Sequence, residues 1–430
     1  MSEASEALEV TGLAYGPHAI ARRGGKVMFI RGAVPGDTVT IAVREERRAY
    51  AYAEVTAVLH PSPDRRDPPC PYLPRCGGCP WQHIAYDAQL RAKAAIVRDH
   101  LTRAIDTQDI EWDGIIPADE EFHYRHRLSL RVANGQVGFF AGGSHELVPV
   151  ERCVLGEPAL DDAIPVAQQW IGRLRSGVGR LEILLAADGA RWVLAAEAEG
   201  TLASHDDRVS AEFLAAQVRV AGLVLRGRRM RRVWGDDRCR LEIEPELGWS
   251  VRAGTFSQVT RSGNRVLVRA VMGAGAFTNG QRVLDVYAGA GNLSLPIARR
   301  VATVVAIEQS ALAVEDGVAN ARALGLSNCE FRRQSAVEGI AAAASARECY
   351  DTIVLDPPRS GAADAMPAIV RLAPTRIVYV SCDPTTLARD LRRLVPHYRV
   401  IRVQPIDLFP QTYHVETVVT AIRAAGRAGG

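Results

Sequence analysis

The stretch Asp285–Ala298, DVYAGAGNLSLPIA, decides the fold. It continues the apolar run RVL and leads toward Ala-rich sequence, so it reads as strand, glycine-rich turn, helix. Gly289 and Gly291 let the backbone bend sharply and come close to a ligand. Glu308 ends the next strand-like run, TVVAIE, where a carboxylate can accept hydrogen bonds from ribose hydroxyls. A lone turn of this kind can be a plain βα connection. Asp285 before it and Glu308 after it favour a nucleoside-bearing cofactor. The third small position of a dinucleotide fingerprint is Ser294, which leaves NAD and S-adenosylmethionine both open at this point.

Outward from that turn, strand-like runs alternate with helical sequence from about residue 265 onward: RVLDVYA, TVVAIEQ, CEFRRQ, DTIVLDPP, RIVYVSC, VIRVQPIDL and VETVVTAIR. This alternation predicts a doubly wound, Rossmann-like α/β domain with a mostly parallel sheet. Residues 8–60 instead show short period-two strands, with Val27 and Phe29, then Val39, Ile41 and Val43, separated by GG and PGD turns. That pattern suits an OB-like barrel, a fold that binds nucleic acid on one face as readily as it serves as a plain adaptor. The Pro-rich PSPDRRDPP (61–69) marks a boundary. The predicted division is 1–62 (barrel), 63–264 (central α+β domain) and 265–430 (cofactor domain). With 430 residues, several domains are expected.

The net charge of +3 does not by itself announce a nucleic-acid partner. The acidic start MSEASEALEV predicts no signal peptide, and no run approaches ~20 apolar residues, so no membrane span is expected. A cytoplasmic, reducing setting follows, in which eight cysteines suit metal binding or catalysis better than disulfides. Nothing resembles a dimer seam, which predicts a monomer. The arginine-rich LRGRRMRRVWGDDRCR (225–240) reads as a solvated face or, by a small margin, an RNA contact.

Three strand ends carry candidate chemistry. DPPRSG puts Asp356 at the carboxyl edge of the sheet, and Arg359 stands where amine methyltransferases often carry a base-stacking aromatic residue. SCDPTTLARD places Cys382 at the end of the next strand, a nucleophile candidate whose plain alternative is a small buried side chain. FPQTYHVETVV brings Glu416 to the start of the last strand, with His414 two residues before it. A thiol, a base and a polar anchor at one point suit methylation of uracil C5. The thiolate adds at C6, C5 becomes nucleophilic and takes the methyl group, and a carboxylate removes the C5 proton. The target base must leave its stack to get there.

The same motifs carry a resemblance. DVYAGAGNLSLPIA, DPPRSG, SCDPTTLARD and FPQTYHVETVV, in that order, resemble the RNA 5-methyluridine methyltransferase family, in particular its iron–sulfur 23S ribosomal RNA members. FSQV (256–259) is similar to the family's F-x-Q segment, and the first ~60 residues resemble a TRAM domain. The resemblance implies a class I methyltransferase domain, S-adenosylmethionine as cofactor and structured RNA as partner, with 23S rRNA favoured and the tRNA T-loop as second choice. It implies Cys382 as nucleophile, Glu416 as base, and cofactor contacts from Gln258, Tyr287, Asn292, Glu308 and Asp356, beside the turn glycine Gly289. Ala288 replaces a frequent cysteine, and Ser335 stands where Asn or Asp often meets the adenine. An RNA cytosine-C5 methyltransferase and a non-catalytic RNA-binding factor are the competing readings. The SCDP and HVE motifs argue against the first, and intact Cys382 and Glu416 against the second.

CPYLPRCGGCPWQH, from Cys70, spaces three cysteines as C-x5-C-x2-C. With a fourth thiolate the set suits tetrahedral zinc or a [4Fe–4S] cluster equally by chemistry. The family resemblance implies [4Fe–4S] on Cys70, Cys76, Cys79 and Cys153, with zinc as the alternative. Cys239 is the reserve fourth ligand, and Cys329 and Cys349 are expected in the core.

Overall fold

The protein was analysed as a computed structural model, which describes residues 7–244 and 247–424. The first six residues, most of the acidic start, lie outside the described residues.

The N-terminal strands β1 (Leu8–Leu13), β2 (His18–Arg23), β3 (Lys26–Arg31), β4 (Thr38–Glu46) and β5 (Tyr50–His60) close into a barrel in the order β1-β2-β3-β5-β4. Its interior is narrow because alternate residues are small: Ala19, Ala21, Ala51 and Ala53 pack around Met28 and Ile30.

Helix α1 (Tyr86–Thr102) and the short β6 (Glu111–Trp112) follow the cysteine segment, and both pack on the C-terminal sheet. The central sheet contains β7 (Arg127–Ala133), β8 (Gln136–Phe140), β9 (Leu147–Pro149), β10 (Val178–Leu185), β11 (Trp192–Ala198), β12 (Val220–Arg226) and β13 (Arg231–Gly235), in the order β13-β12-β11-β10-β7-β8-β9. Helices α2 (Ala163–Ile171) and α3 (His205–Ala216) cover one face through Trp170 and Phe213. The other face, with Leu184, Val193 and Val224, packs into the core shared by a hairpin, β14 (Arg238–Glu244) and β15 (Leu247–Arg252), and helix α4 (Arg261–Gly275). Burial on both faces explains why β10 to β12 read as continuous apolar runs.

The C-terminal sheet contains β16 (Arg282–Val286), β17 (Thr303–Glu308), β18 (Cys329–Arg333), β19 (Thr352–Leu355), β20 (Arg376–Ser381), β21 (Tyr398–Ile406) and β22 (Glu416–Arg423). Interleaved are α5 (Ser294–Ala298), α6 (Ala311–Ala323), α7 (Ala336–Ser345), α8 (Met366–Leu372) and α9 (Pro384–Leu394). The order is β18-β17-β16-β19-β20-β22-β21-β6, with β22 antiparallel to β20. Strand order reverses between β16 and β19, which opens a crevice at their carboxyl ends. Among the described residues, no helix is long and apolar enough to cross a membrane.

Candidate active site

The crevice brings the cofactor candidates together. β16 and β19 pair in register with Val286 opposite Leu355, so Tyr287 and Asp356 leave the sheet side by side. Tyr287 is held at φ 66°, left-handed backbone that a tyrosine seldom adopts. Gly289 (φ 56°) and Gly291 (φ 96°) complete the turn, and a Cβ on Gly291 would run into Leu295 and Phe331. The Gly289 N–H donates to Glu308 Oε2 at 3.0 Å, and Ser310 N donates to its other oxygen at 2.7 Å. Glu308 thus braces the turn from the end of β17. Asn292 exchanges two side-chain hydrogen bonds with Asn264 of α4, both 2.8 Å. Gln258 is buried in the segment that runs into α4. Ser335 caps α7 instead, in a closed capping box with Glu338, so its hydroxyl is already engaged. At the foot of the crevice Asp285 is buried beside Ser294, with Oδ1 unpartnered, and burial pushes its carboxyl up to about 7.

One strand over lies the second half of the site. β20 and β22 pair with Ser381 opposite Thr417. One more step of that register brings Cys382, just past the strand end, level with Glu416, close enough for the carboxylate to raise the thiol. The Asp383 side chain caps α9, accepting from Thr385 N and Thr386 N, and this ends the strand at the cysteine. Glu416 is buried, and Oε2 has no partner. Burial, reinforced by Asp356, raises its carboxyl well above the usual range, while Arg359 opposes the shift. Asp356 itself is raised to about 7 by burial. Burial also pushes the Cys382 thiol up to about 12, with Glu416 adding to the shift and Arg359 again opposing it. Arg359 donates to His414 Nε2 at 3.1 Å. A guanidinium can only donate, so the His414 proton sits on Nδ1, which is buried without a partner. Burial and Arg359 hold that ring neutral, down to about 3. A thiol, a buried carboxyl, a neutral ring N–H and one cation therefore lie together at the sheet edge beside the cofactor crevice. This can perform covalent and acid–base chemistry on a flat polar ring.

The sequence pointed to Cys382, Glu416 and Asp356 but not to what holds them. Tyr15, from the turn after β1 of the barrel, donates its hydroxyl to the Cys382 carbonyl at 3.1 Å. Its ring meets Tyr413 edge-on at 5.5 Å, and Tyr413 lies 4.3 Å from His414. The loop between β21 and β22 is pinned from below. Lys93 of α1, fully buried, bonds Asp407 at 2.7 Å and the Phe409 carbonyl at 3.0 Å. Gln411 (φ 70°) accepts from Arg66 at 2.7 Å and from Gln89 at 2.9 Å.

The cysteines form a separate centre. Cys70, Cys76, Cys79 and Cys153 line one cavity together with Gln82 and Arg125. Gln82 has both amide atoms unpartnered, as has Arg125 its Nε. A buried cation beside four thiols suits an anionic thiolate-bound group. Among the described residues, no set of three or more Cys, His, Asp or Glu side chains is drawn close enough to hold a single metal ion. Cys239 lies elsewhere, buried in the core beneath the β14–β15 hairpin. Cys349 is exposed, against the expectation of a core position, and Cys329 is half-buried. Three of the seven arginines in the arginine-rich stretch are paired: Arg226 with Glu197, Arg232 with Asp207 at 2.9 Å, and Arg231 with Asp237. The small margin given to RNA contact by these arginines is therefore reversed for those three.

Residues 246–424 match the sequence model of the family described as tRNA (uracil-5-)-methyltransferase, and residues 7–56 match the TRAM domain. The chain is 35% identical over 427 residues to the 23S rRNA (uracil(1939)-C(5))-methyltransferase RlmD of Edwardsiella ictaluri, covering 94% of this chain and 93% of that one. It is 33% identical over 443 residues to an uncharacterized RNA methyltransferase of Gloeobacter violaceus, covering 96% of each. The crystal structure of Pyrococcus abyssi tRNA (uracil-54, C5)-methyltransferase in complex with S-adenosyl-L-homocysteine has the same fold, with a TM-score of 0.75 at 22% identity over 96% of this chain and 99% of that one.

Proposed function

This chain belongs to the RNA (uracil-5-)-methyltransferase family, S-adenosylmethionine-dependent enzymes with a TRAM barrel, and from that membership we propose that it methylates uracil C5 through Cys382 and Glu416. The observation that carries this reading is the register that sets Cys382 opposite Glu416 beside the cofactor crevice. The bound cofactor supplies an electrophilic methyl group on a sulfonium sulfur. The Cys382 thiolate forms a bond to C6 of the flipped uracil, and the C5–C6 π electrons move into the C4 carbonyl as an enolate. The enolate re-forms its carbonyl as C5 bonds the methyl carbon, and the sulfonium sulfur keeps the electron pair of the broken bond. Glu416 takes the C5 proton, the C5=C6 bond re-forms, and the Cys382 thiolate leaves. Raising the Glu416 carboxyl makes it the stronger base for that proton. Arg359 favours both charged groups. Tyr287, Glu308, Asp356, Asn292, Gly289 and Gln258 would hold the cofactor.

The division into 1–62, 63–264 and 265–430 is proposed as the functional one, with α1 of the middle segment serving as a brace for the catalytic sheet. In the middle segment, Cys70, Cys76, Cys79 and Cys153 would bind a [4Fe–4S] cluster with no open iron, which supplies a cross-link between the linker and the central sheet. Iron and sulfide analysis of anaerobically purified protein tests this. Absence of iron, or full cluster absorbance in Cys153→Ala, counts against it. The substrate is proposed to be 23S rRNA, the RNA named for the RlmD relatives. Mass-spectrometric mapping of 5-methyluridine in a deletion strain tests that choice. Cys382→Ala should bind S-adenosylmethionine yet transfer no methyl group, and retained activity would remove the covalent step.

A further inference from the structure

The barrel inverts the usual arrangement of a half-exposed sheet. Its inner face carries alanines, and its large rings point outward. Pairing registers fix which residues share that outer face. His18 stands opposite Arg31, Ile20 opposite Phe29, and Arg22 opposite Val27. On the other side of β3, Val27 stands opposite Tyr50 and Phe29 opposite Tyr52. The result is one ledge across β2, β3 and β5 with Phe29 at its centre. Phe29 and Tyr52 stack at 5.4 Å with planes only 29° apart, His18 adds a ring 5.1 Å from Tyr52, and Tyr50 is 36% exposed. Nothing among the described residues covers these rings as a core would.

Charge decides what the ledge suits. The carboxylates nearby are neutralised: Glu46 by Lys26 at 2.6 Å and Glu54 by Arg44 at 2.8 Å. Arg22 and Arg31 bond backbone carbonyls, of Gly25 and Gly142, and have no carboxylate partner among the described residues. Aromatic faces flanked by uncommitted guanidinium groups fit unstacked nucleobases and their phosphates. Arg31 also carries the surface onto the central domain, since Gly142 follows Phe140, whose ring lies 5.2 Å from the Arg131 guanidinium. On the same barrel, Tyr15 reaches the Cys382 loop.

We infer that Phe29, Tyr52 and His18 form a stacking platform for unpaired bases flanking the target uracil. The inference rests on the RNA methyltransferase reading and names where the rest of the RNA is gripped. The test compares Phe29→Ala/Tyr52→Ala and Phe29→Leu/Tyr52→Leu with wild type. The leucine pair keeps an apolar face but removes the rings. Dissociation constants for a uracil-containing rRNA hairpin are measured over a salt series, alongside kcat, KM, cofactor affinity and thermal midpoint. Loss of one base stack predicts at least roughly fivefold weaker RNA binding. A matching rise in KM is expected in both double variants, with kcat and cofactor affinity within about twofold. The salt slope should stay unchanged, because no phosphate contact is removed. RNA affinity within twofold of wild type in a folded leucine variant overturns the platform and would leave the ledge to a protein partner. Wild-type protein that transfers no methyl group to any uracil-containing RNA overturns the enzymatic reading instead, and the binding series still decides the platform.

Discussion

Glu416→Gln should have two effects of opposite sign, which together separate a catalytic base from a structural carboxylate. The Cys382 thiol is pushed from an ordinary value near 9 up to about 12, by burial first and Glu416 second. At one decade per unit, the resting enzyme then holds about a thousandfold fewer thiolates at neutral pH than an unperturbed cysteine would. A full charge about 5 Å away at an effective dielectric of about 20 is worth about 3 kcal/mol, or about two units. Burial is the larger cause of the thiol's shift, so the Glu416 charge accounts for the smaller part of it. Alkylation of Cys382 by iodoacetamide, followed by peptide mass spectrometry across pH 7 to 10, should therefore run faster in Glu416→Gln. The same variant cannot take the C5 proton. With RNA and S-adenosylmethionine it should stall after methyl transfer and accumulate a protein–RNA adduct that survives denaturing electrophoresis. Alkylation unchanged even at pH 10, where the Glu416 carboxylate is charged, would mean that it does not face the thiol. Normal turnover with no adduct would mean that it is not the base.

Three other substitutions probe the supports. Tyr15→Phe keeps the ring but removes the hydrogen bond to the Cys382 carbonyl, and should lower kcat about fivefold, with KM, cofactor affinity and thermal midpoint unchanged. An unchanged kcat would make Tyr15 a packing residue only. Arg359→Gln removes the cation that favours both the thiolate and the Glu416 carboxylate. Activity requires both groups deprotonated, so kcat/KM should rise with pH, and the variant's rise should move to higher pH. A pH–rate profile that overlays wild type refutes the role. Lys93→Met strands Asp407 in the core and should destabilise by about 3 kcal/mol or more in urea unfolding. Lys93→Met with Asp407→Leu should recover most of that loss, and no recovery would mean that the pair is not what holds the loop.

Sequence alone made the cofactor half legible because its signals are local. Gly289, Gly291 and Glu308 fall within one βαβ unit, and parallel strands force their carboxyl ends to one edge. Cys382 and Glu416 were legible as strand ends, but their opposition depends on β22 entering antiparallel beside β20. That pairing is a tertiary choice which no period records. Tyr15 lay outside reach, because its partner is 367 residues away. Lys93 left a trace: Gln89, Lys93 and Val97 follow one another at i+4 on the buried stripe of α1 with Leu101. A lysine on an apolar stripe signals a buried counter-charge, and Asp407 is that charge. The arginine-rich stretch was legible only in part. Its counter-charges Glu197 and Asp207 come from other elements, and composition within the run could not show them.

The two halves of the site are held in different ways, and this explains the long N-terminal part of the chain. The cofactor crevice is braced within the C-terminal sheet, by Glu308 on the glycine turn and by Asn264 on Asn292. The base-side loop is not. Its polar anchors Asp407 and Gln411 are bonded to Lys93, Gln89 and Arg66, and the Cys382 carbonyl to Tyr15. Each of these partners precedes the group it holds by more than 300 residues. Buried polar groups of this kind are costly when left unpaired, so the loop reaches this conformation only with the barrel turn and α1 in place. The segment carrying Cys70, Cys76 and Cys79 lies between those two elements in the chain and meets Cys153 across one cavity. The proposed cluster there would fix the path from the barrel to α1, and with it the positions of Tyr15, Gln89 and Lys93. Through them the cysteine centre would bear on the geometry of Cys382 and Glu416.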